Sequence, residues 1–426
     1  MPTMRHHKKN NRSAIIIGGG ASGLAAACLC VANGLPVTLL EKENRVGRKL
    51  LATGNGRCNL LHMGPPVFFG DVAFAQAVMA RCGISQVLAF WQGLGLITRE
   101  EPDGRVYPAT NQAATVLDCL RLRLEASPLC EIITSALVTD IHKGPEGFAV
   151  LTQDGARHEA LWVLVAAGGA AAPRLGGSDS LMKPLARLGH RVIPARPALC
   201  PLVTDTRAIR GLSGLRVPVR LGLEVAGEVI TASSGEGLFT DYGISGLCAM
   251  QLARDVGEAL ERGKGVRLLI DFSPGLGLTP PEMCRISPAA FYQQAGLARQ
   301  VLLALLGARR KSHGEDLLYV GLLPRLLIEK VQPLPLEEAA SWLTGLALPV
   351  TGVKGFDQAQ VAAGGLDCRD FDPATLASRL VPGLYAAGEA LNVDGDCGGY
   401  NLLFAWATGI LAAGDIISKS ASLTKK

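Results

Sequence analysis

No C-x-x-C pair occurs among the 11 cysteines, whose spacings are scattered and whose closest pair is Cys28-x-Cys30. That pattern excludes a thioredoxin-type dithiol and offers no zinc-ligand spacing. The thiols are expected to be reduced, mostly buried small hydrophobes of a cytoplasmic protein. Aromatics make up only 5%, too few for a base-stacking nucleic-acid platform. None of the histidines (His6, His7, His62, His142, His158, His190, His313) has a ligand partner at metal spacing. No Ser-His-Asp or paired-carboxylate constellation stands out. Beyond residues 14–32, the longest apolar stretch is residues 160–173, which contains Gly168 and Gly169. It is too short to span a bilayer. Neither a membrane nor a nucleic acid is expected as a partner, and no metal.

What the chain has in excess is glycine: 51 of 426 residues, about 12% against roughly 7% in an average protein. It is 48% hydrophobic and 19% charged, enough for about two or three domains with sizeable cores. The net charge of +5 belongs to the ends. Arg5, Lys8, Lys9 and Arg12 lie in the first twelve residues and Lys419, Lys425 and Lys426 in the last eight, with no acid in either stretch. Without those seven cations the body stands at −2. Residues 1–12 and 419–426 therefore read as solvated tails.

A basic stretch followed by the apolar run 14–32 imitates a secretory signal. Gly18, Gly19, Gly20 and Gly23 interrupt that run and give it another meaning. Residues 13–17 form a β-branched strand, Gly18-Gly-Gly20-Ala21-Ser22-Gly23 a tight turn, and residues 24–33 a small-residue helix; a second strand, 37–40, ends at Glu41. Gly18 permits the turn, Gly20 admits a pyrophosphate to the backbone, and Gly23 lets helix and strand pack closely. The helix N-terminus, at Ala21 and Ser22, offers N–H groups and a positive dipole end. Glu41, 18 residues beyond Gly23, stands near the offset of roughly 20 residues at which a carboxylate meets a ribose hydroxyl.

After Glu41 the chain does not enter another β–α unit. It continues through Lys42, Arg48, Lys49, Thr53, Gly54, Asn55 and Asn59, a basic, glycine-rich segment suited to follow a long cofactor toward its flavin end. There is no second G-x-G-x-x-G and no redox dithiol, as a pyridine-nucleotide disulfide reductase would need. Near the other end, a strand at 384–387 runs into Gly388-Glu389. A second glycine-rich turn follows, with Asp394, Gly399, Tyr400 and Asn401 at the head of an apolar helix. Its N–H groups would stabilise negative charge on a reduced flavin. Gly168, closing the run 161–169, and Val138 complete the expected cofactor set, and the expected cofactor is FAD. Arg48 and Lys49 are the cations available to a phosphate or a reduced flavin.

Taken together, Gly18 to Gly23, the block from Gly47 to Asn59, Gly352-Val-Lys-Gly355 with Ala363-Gly-Gly365, and the segment from Gly388 to Asn401 resemble the BaiN-like flavoproteins, also called the aminoacetone-oxidase family. The likeness runs over residues 14–414. It implies an α/β chain: a two-dinucleotide-binding Rossmann-type FAD domain, interrupted by an inserted β-barrel-like domain and a helical lid. It also implies FAD-dependent oxidoreductase activity. The chain departs from the family pattern at Leu61-His62, where a Thr-Asn pair is frequent, at Cys397, where Thr is expected, and at Leu403-Phe404. Those departures bear on substrate and re-oxidant.

The expected domains are 13–190 and 356–418 for FAD, 191–273 for the barrel with its return strand at 346–355, and 274–345 for the helical lid. Within the insertion, strands are expected at 198–204, 217–225, 227–231 and 267–271, and helices at 289–310, 324–331 and 336–345. Tyr242, in a polar turn, is the weak candidate for substrate contact. The expected reaction moves a hydride between flavin N5 and a small or polycyclic organic molecule, with NAD(P)H or O₂ as the other redox partner. Amine oxidation, an RNA-interacting flavoprotein and a non-enzymatic flavin binder are the alternatives.

Overall fold

The β-branched run Ala14–Ile17 is buried on both faces and forms the central strand of a five-stranded sheet. The order is Leu384–Ala386, Trp162–Val165, Ala14–Ile17, Val37–Leu40, Cys130–Ile133, all parallel. Burial on both faces is what a parallel sheet requires, because its crossover helices cover it. The chain order reverses at Ala14–Ile17, which puts a crevice at the carboxyl ends of the strands there. A three-stranded antiparallel sheet, Arg157–Ala160, Gly147–Thr152 and Val138–Gly144, is part of the same unit.

The computed structural model describes residues 13–278, 285–314 and 316–424. The chain divides into two units: one takes the described residues through Arg196 and from Val361 onward, the other Pro197–Gln360. These divisions differ by a few residues from the expected 190/191 and 355/356. The chain leaves the first unit along Val192–Ala198 and returns along Val361–Leu366, and these two strands pair. The N-terminal tail lies outside the described residues.

Helix Ala21–Ala32 packs against the C-terminal helix Tyr400–Thr424 so closely that a Cβ on Gly409 would overlap the Ser22 carbonyl. Residues 419–424, expected as tail, continue that helix, a correction with a local cause. Lys419 pairs with Asp415 at 2.7 Å and donates to Tyr385 Oη at 3.1 Å, tying the last turns to a core strand. Among the described residues this helix is long and apolar enough to cross a membrane by itself. Half of that stretch is buried instead, with Leu403, Trp406 and Ala407 fully so. Trp406 meets Trp91 edge to face at 4.9 Å and donates to Leu60 O at 3.1 Å.

The second unit is a closed six-stranded antiparallel barrel: Arg216–Val225, Val266–Asp271, Leu346–Val353, Leu202–Thr204, Gly243–Ser245, Glu228–Phe239, and back to the first. Glu228–Phe239 runs well past the expected 231, because it pairs along nearly all of Arg216–Val225. Arg220 and Asp271 form a buried ion pair at 2.7 Å, with Ser273 bonded to both. The helices Pro288–His313, Arg325–Val331 and Leu336–Gly345 belong to this unit. Phe291 fills the space left by Gly222, and Trp342 stacks on Phe272 at 5.4 Å.

Candidate functional site

The first glycine turn is built by exclusion. Gly18 takes φ +109°, and a Cβ on it would run into the backbone of Ala166 on the neighbouring strand. A Cβ on Gly23 would overlap the Gly18 carbonyl. Gly20 differs: its backbone is extended and nothing stands within 4 Å of an added Cβ. Among the described residues no side chain caps the helix that starts at Ala21, so its first N–H groups are available to an anion. Glu41 is aimed at the turn, accepting Gly19 N–H at 2.7 Å and Glu43 N–H at 2.8 Å. Burial is the largest influence on its carboxyl and raises it.

The C-terminal turn meets this one directly. Gly388 takes φ +66°, and a Cβ there would press on Ser22 Oγ at 2.8 Å. Its N–H donates to Thr408 Oγ1 at 2.9 Å. Glu389 ties three segments together. Its Oε2 pairs with Lys49 Nζ at 2.6 Å, its Oε1 accepts Ala362 N–H at 2.8 Å, and its side chain lies against Gly169, beside Gly168 at φ +73°.

A second cluster forms at the head of the C-terminal helix. Asn401 closes the turn by accepting from Gly395 N and donating to Gly395 O, both at 2.8 Å. Gly399, at φ +107°, sits where a Cβ would meet Leu61 backbone at 2.8 Å and Asn59 Oδ1 at 3.0 Å. Asn59 Oδ1 is buried and, among the described residues, has no hydrogen-bond partner. Thr53 Oγ1 bonds Leu50 O at 2.7 Å, and Gly54 and Asn55 both take left-handed conformations, at φ +57° and +55°. Cys58, at φ +58°, is fully buried, and burial pushes its thiol up to about 12.

Other expected residues have surroundings of their own. Arg48 pairs with Glu43 and donates to Arg174 O at 2.7 Å. Lys42 Nζ reaches Gly177 O at 3.5 Å, and burial lowers its ammonium. Val138 and Asp394 are buried in strands, paired with Thr152 and Phe69. Tyr242 lies in the barrel unit with Lys354 Nζ 3.9 Å over its ring. Two contributors escaped the sequence reading. Thr408 is hidden in an apolar helical stretch, and Ala362 contributes only its backbone.

The HI0933-like protein Rossmann domain family matches residues 12–415. A 3-dehydro-bile acid delta(4,6)-reductase of Clostridium scindens is 35% identical over 413 residues, covering 92% of this chain and 96% of that one. A ribosomal RNA dihydrouridine synthase of Escherichia coli is 27% identical over 416 residues, covering 94% and 97%. In fold, the chain resembles a 3-ketosteroid delta1-dehydrogenase from Sterolibacterium denitrificans, with 14% identity, a TM-score of 0.50, and coverage of 96% of this chain and 100% of that one. The chain thus belongs to the HI0933-like Rossmann family, whose members are FAD-dependent oxidoreductases.

Proposed function

We propose that this protein is an FAD-dependent reductase that saturates a carbon–carbon double bond conjugated to a carbonyl, with NAD(P)H as the reductant. The observation that carries the cofactor is the direct meeting of two glycine-edged turns, one from each end of the chain, locked by Lys49 and Glu389.

The residues fit FAD. The uncapped helix start at Ala21 and Ser22, with open space at Gly20, would hold the pyrophosphate, and Glu41 the ribose. Asn59 Oδ1, buried and unpartnered among the described residues, is an acceptor left for a cofactor N–H. Lys49, Thr53, Gly54, Asn55, Gly168 and Glu389 would line the stretch between, with Gly399, Tyr400 and Asn401 at the ring. Bound FAD supplies two-electron hydride chemistry at N5. The chain's own part is to orient the ring, compensate its charge and manage a proton. Tyr242, under Lys354, is the barrel unit's candidate for substrate contact. We assign the protein to the cytoplasm, because every cysteine among the described residues is free.

The direction of reaction is supported by the names of two relatives, a delta(4,6)-reductase and a dihydrouridine synthase, each of which names the reduced product or the reduction. The relative with 35% identity favours a polycyclic enone. The test is anaerobic. NADPH or NADH should bleach the flavin band of the purified yellow protein, and a 4,6-dien-3-oxo steroid should restore it. Bleaching by amines and by neither nicotinamide would replace this reading with an oxidase. Re-oxidation by ribosomal RNA and not by the steroid would move the substrate to uridine, as the name of the Escherichia coli relative indicates.

A further inference from the structure

We propose that Arg57 is a positioning residue: it holds the strained turn of residues 53–59 in the shape that presents Asn59 Oδ1 to the flavin. The inference rests on the flavin reading above, in which this turn follows the cofactor toward its ring.

The turn is built against the preferences of its residues. Gly54, Asn55, Gly56 and Cys58 all take left-handed backbone, at φ +57°, +55°, +83° and +58°. Asn55 and Cys58 carry a Cβ that disfavours it. Such a run persists only where its surroundings over-determine it. Two bonds close the turn on itself, Cys58 N–H to Thr53 O at 2.9 Å and Arg57 N–H to Gly54 O at 3.2 Å. Neither reaches beyond it.

Arg57 supplies the outward tie, in three directions. Its Nε donates to Asn111 Oδ1 at 2.6 Å, its Nη2 pairs with Glu101, and its guanidinium carbon stands 3.9 Å over the Tyr107 ring. Glu101 lies in the bend of the hairpin Thr98–Glu100 and Arg105–Pro108, Tyr107 on its second strand, and Asn111 just beyond it. The anchor is itself fixed: Asn111 takes φ +59° and donates its N–H to Pro108 O at 2.8 Å. Tyr107 also supports the turn, since a Cβ on Gly54 would come to 3.5 Å from its Cε1. Only a planar, forked cation bonds two acceptors and lies on a ring at once, so lysine is no substitute. Glu101 answers the charge of Arg57, and what Arg57 passes to the site is shape.

Asn59 receives it. Its Oδ1 is buried and, among the described residues, has no hydrogen-bond partner. A Cβ on Gly54 would stand 3.0 Å from the Asn59 N, so the turn lies against the backbone that carries this acceptor. A turn that relaxes therefore moves Oδ1, and Arg57 acts on the cofactor through Asn59.

The test is a double-mutant cycle of R57K and N59A in the purified flavoprotein. N111G loosens the same grip independently: glycine keeps the left-handed backbone and removes only the acceptor. The readouts are FAD affinity by fluorescence titration and the flavin midpoint potential. R57K and N111G should each weaken FAD roughly tenfold and move the potential in the direction in which N59A moves it. In the N59A background R57K should add nothing to either quantity. Additive effects of R57K and N59A overturn the assignment, as does wild-type FAD affinity in R57K and N111G. If R57K does not fold, the cycle of N111G with N59A decides in the same way. Wild-type protein that stays colourless after incubation with FAD overturns the flavin reading itself, and this inference with it.

Discussion

Lys49 Nζ stands 2.6 Å from Glu389 Oε2, a contact between residues 340 positions apart in the chain. It joins the segment that follows the first glycine turn to the turn that precedes the last helix. The same carboxylate holds Ala362 N–H, so Glu389 fixes backbone as well as charge. K49M should lower stability by about 1 kcal/mol, since the pair is partly exposed. E389A should cost about 2–3 kcal/mol, because it also strands a backbone donor. E389Q should fall between them, its amide oxygen still accepting from Ala362. Urea unfolding of the three variants orders them, and their FAD content should follow the same order.

Two glycines three residues apart, Gly20 and Gly23, separate folding from binding. Gly23→Ala forces a methyl into the Gly18 carbonyl and should destabilise the protein by about 1–3 kcal/mol. Gly20→Ala meets nothing and needs no unusual backbone. It should leave the melting temperature of FAD-free protein unchanged while weakening FAD at least roughly tenfold, about 1.4 kcal/mol. Unaltered FAD affinity in G20A, by fluorescence titration, would remove the pyrophosphate from this turn.

Cys58 should be inert. A thiol pushed up to about 12 and fully buried holds almost no thiolate at neutral pH, and the thiolate is the reactive form. Iodoacetamide should leave Cys58 unmodified in the native protein and label it after unfolding in urea, as read by peptide mass spectrometry. Rapid native labelling would reopen a thiol mechanism.

His190 sets a pH dependence of stability. It is buried, stacked on Phe371 at 5.1 Å and bonded to Ser378 Oγ at 2.8 Å, and burial lowers its ionisation below the ordinary 6.5. The unfolded chain therefore takes up a proton that the native ring resists. Stability from this group is complete above about 6.5 and falls as the pH drops toward the native value, by up to about 1.4 kcal/mol per pH unit. H190Q should be less stable at neutral pH and show a shallower acid slope, measured by urea midpoints across that window.

Much of the first turn was legible because its demands are local. Gly18, Gly23 and Glu41 sit at spacings fixed by one strand, one turn and one helix, so the residues declare the geometry. Arg48 was equally suggestive but turns to Glu43 and Arg174 O, since a cation's partner depends on which loop arrives beside it. Lys49 with Glu389, and Asn59 with Gly399, could not be paired from one sequence. Nothing local records which distant segments the sheet brings together. The strand Glu228–Phe239 was read short because Ser233, Ser234 and Gly235 break the alternation. Pairing with Arg216–Val225 overrides that weak propensity. Residues 419–424 looked like a tail because Lys419, Lys425 and Lys426 stand at that end without an acid, yet Lys419 anchors them through Asp415 and Tyr385.

The pairing of Val192–Ala198 with Val361–Leu366 has an architectural consequence. An insertion whose two junctions are already neighbours imposes on its host little more than the closure entropy of a hairpin, which grows only with the logarithm of loop length. Exchange of the whole barrel for a tight reverse turn, or for a differently shaped module, is therefore permitted by the host scaffold. Such a graft would let the family vary what it acts upon while the nucleotide-holding frame stays as it is.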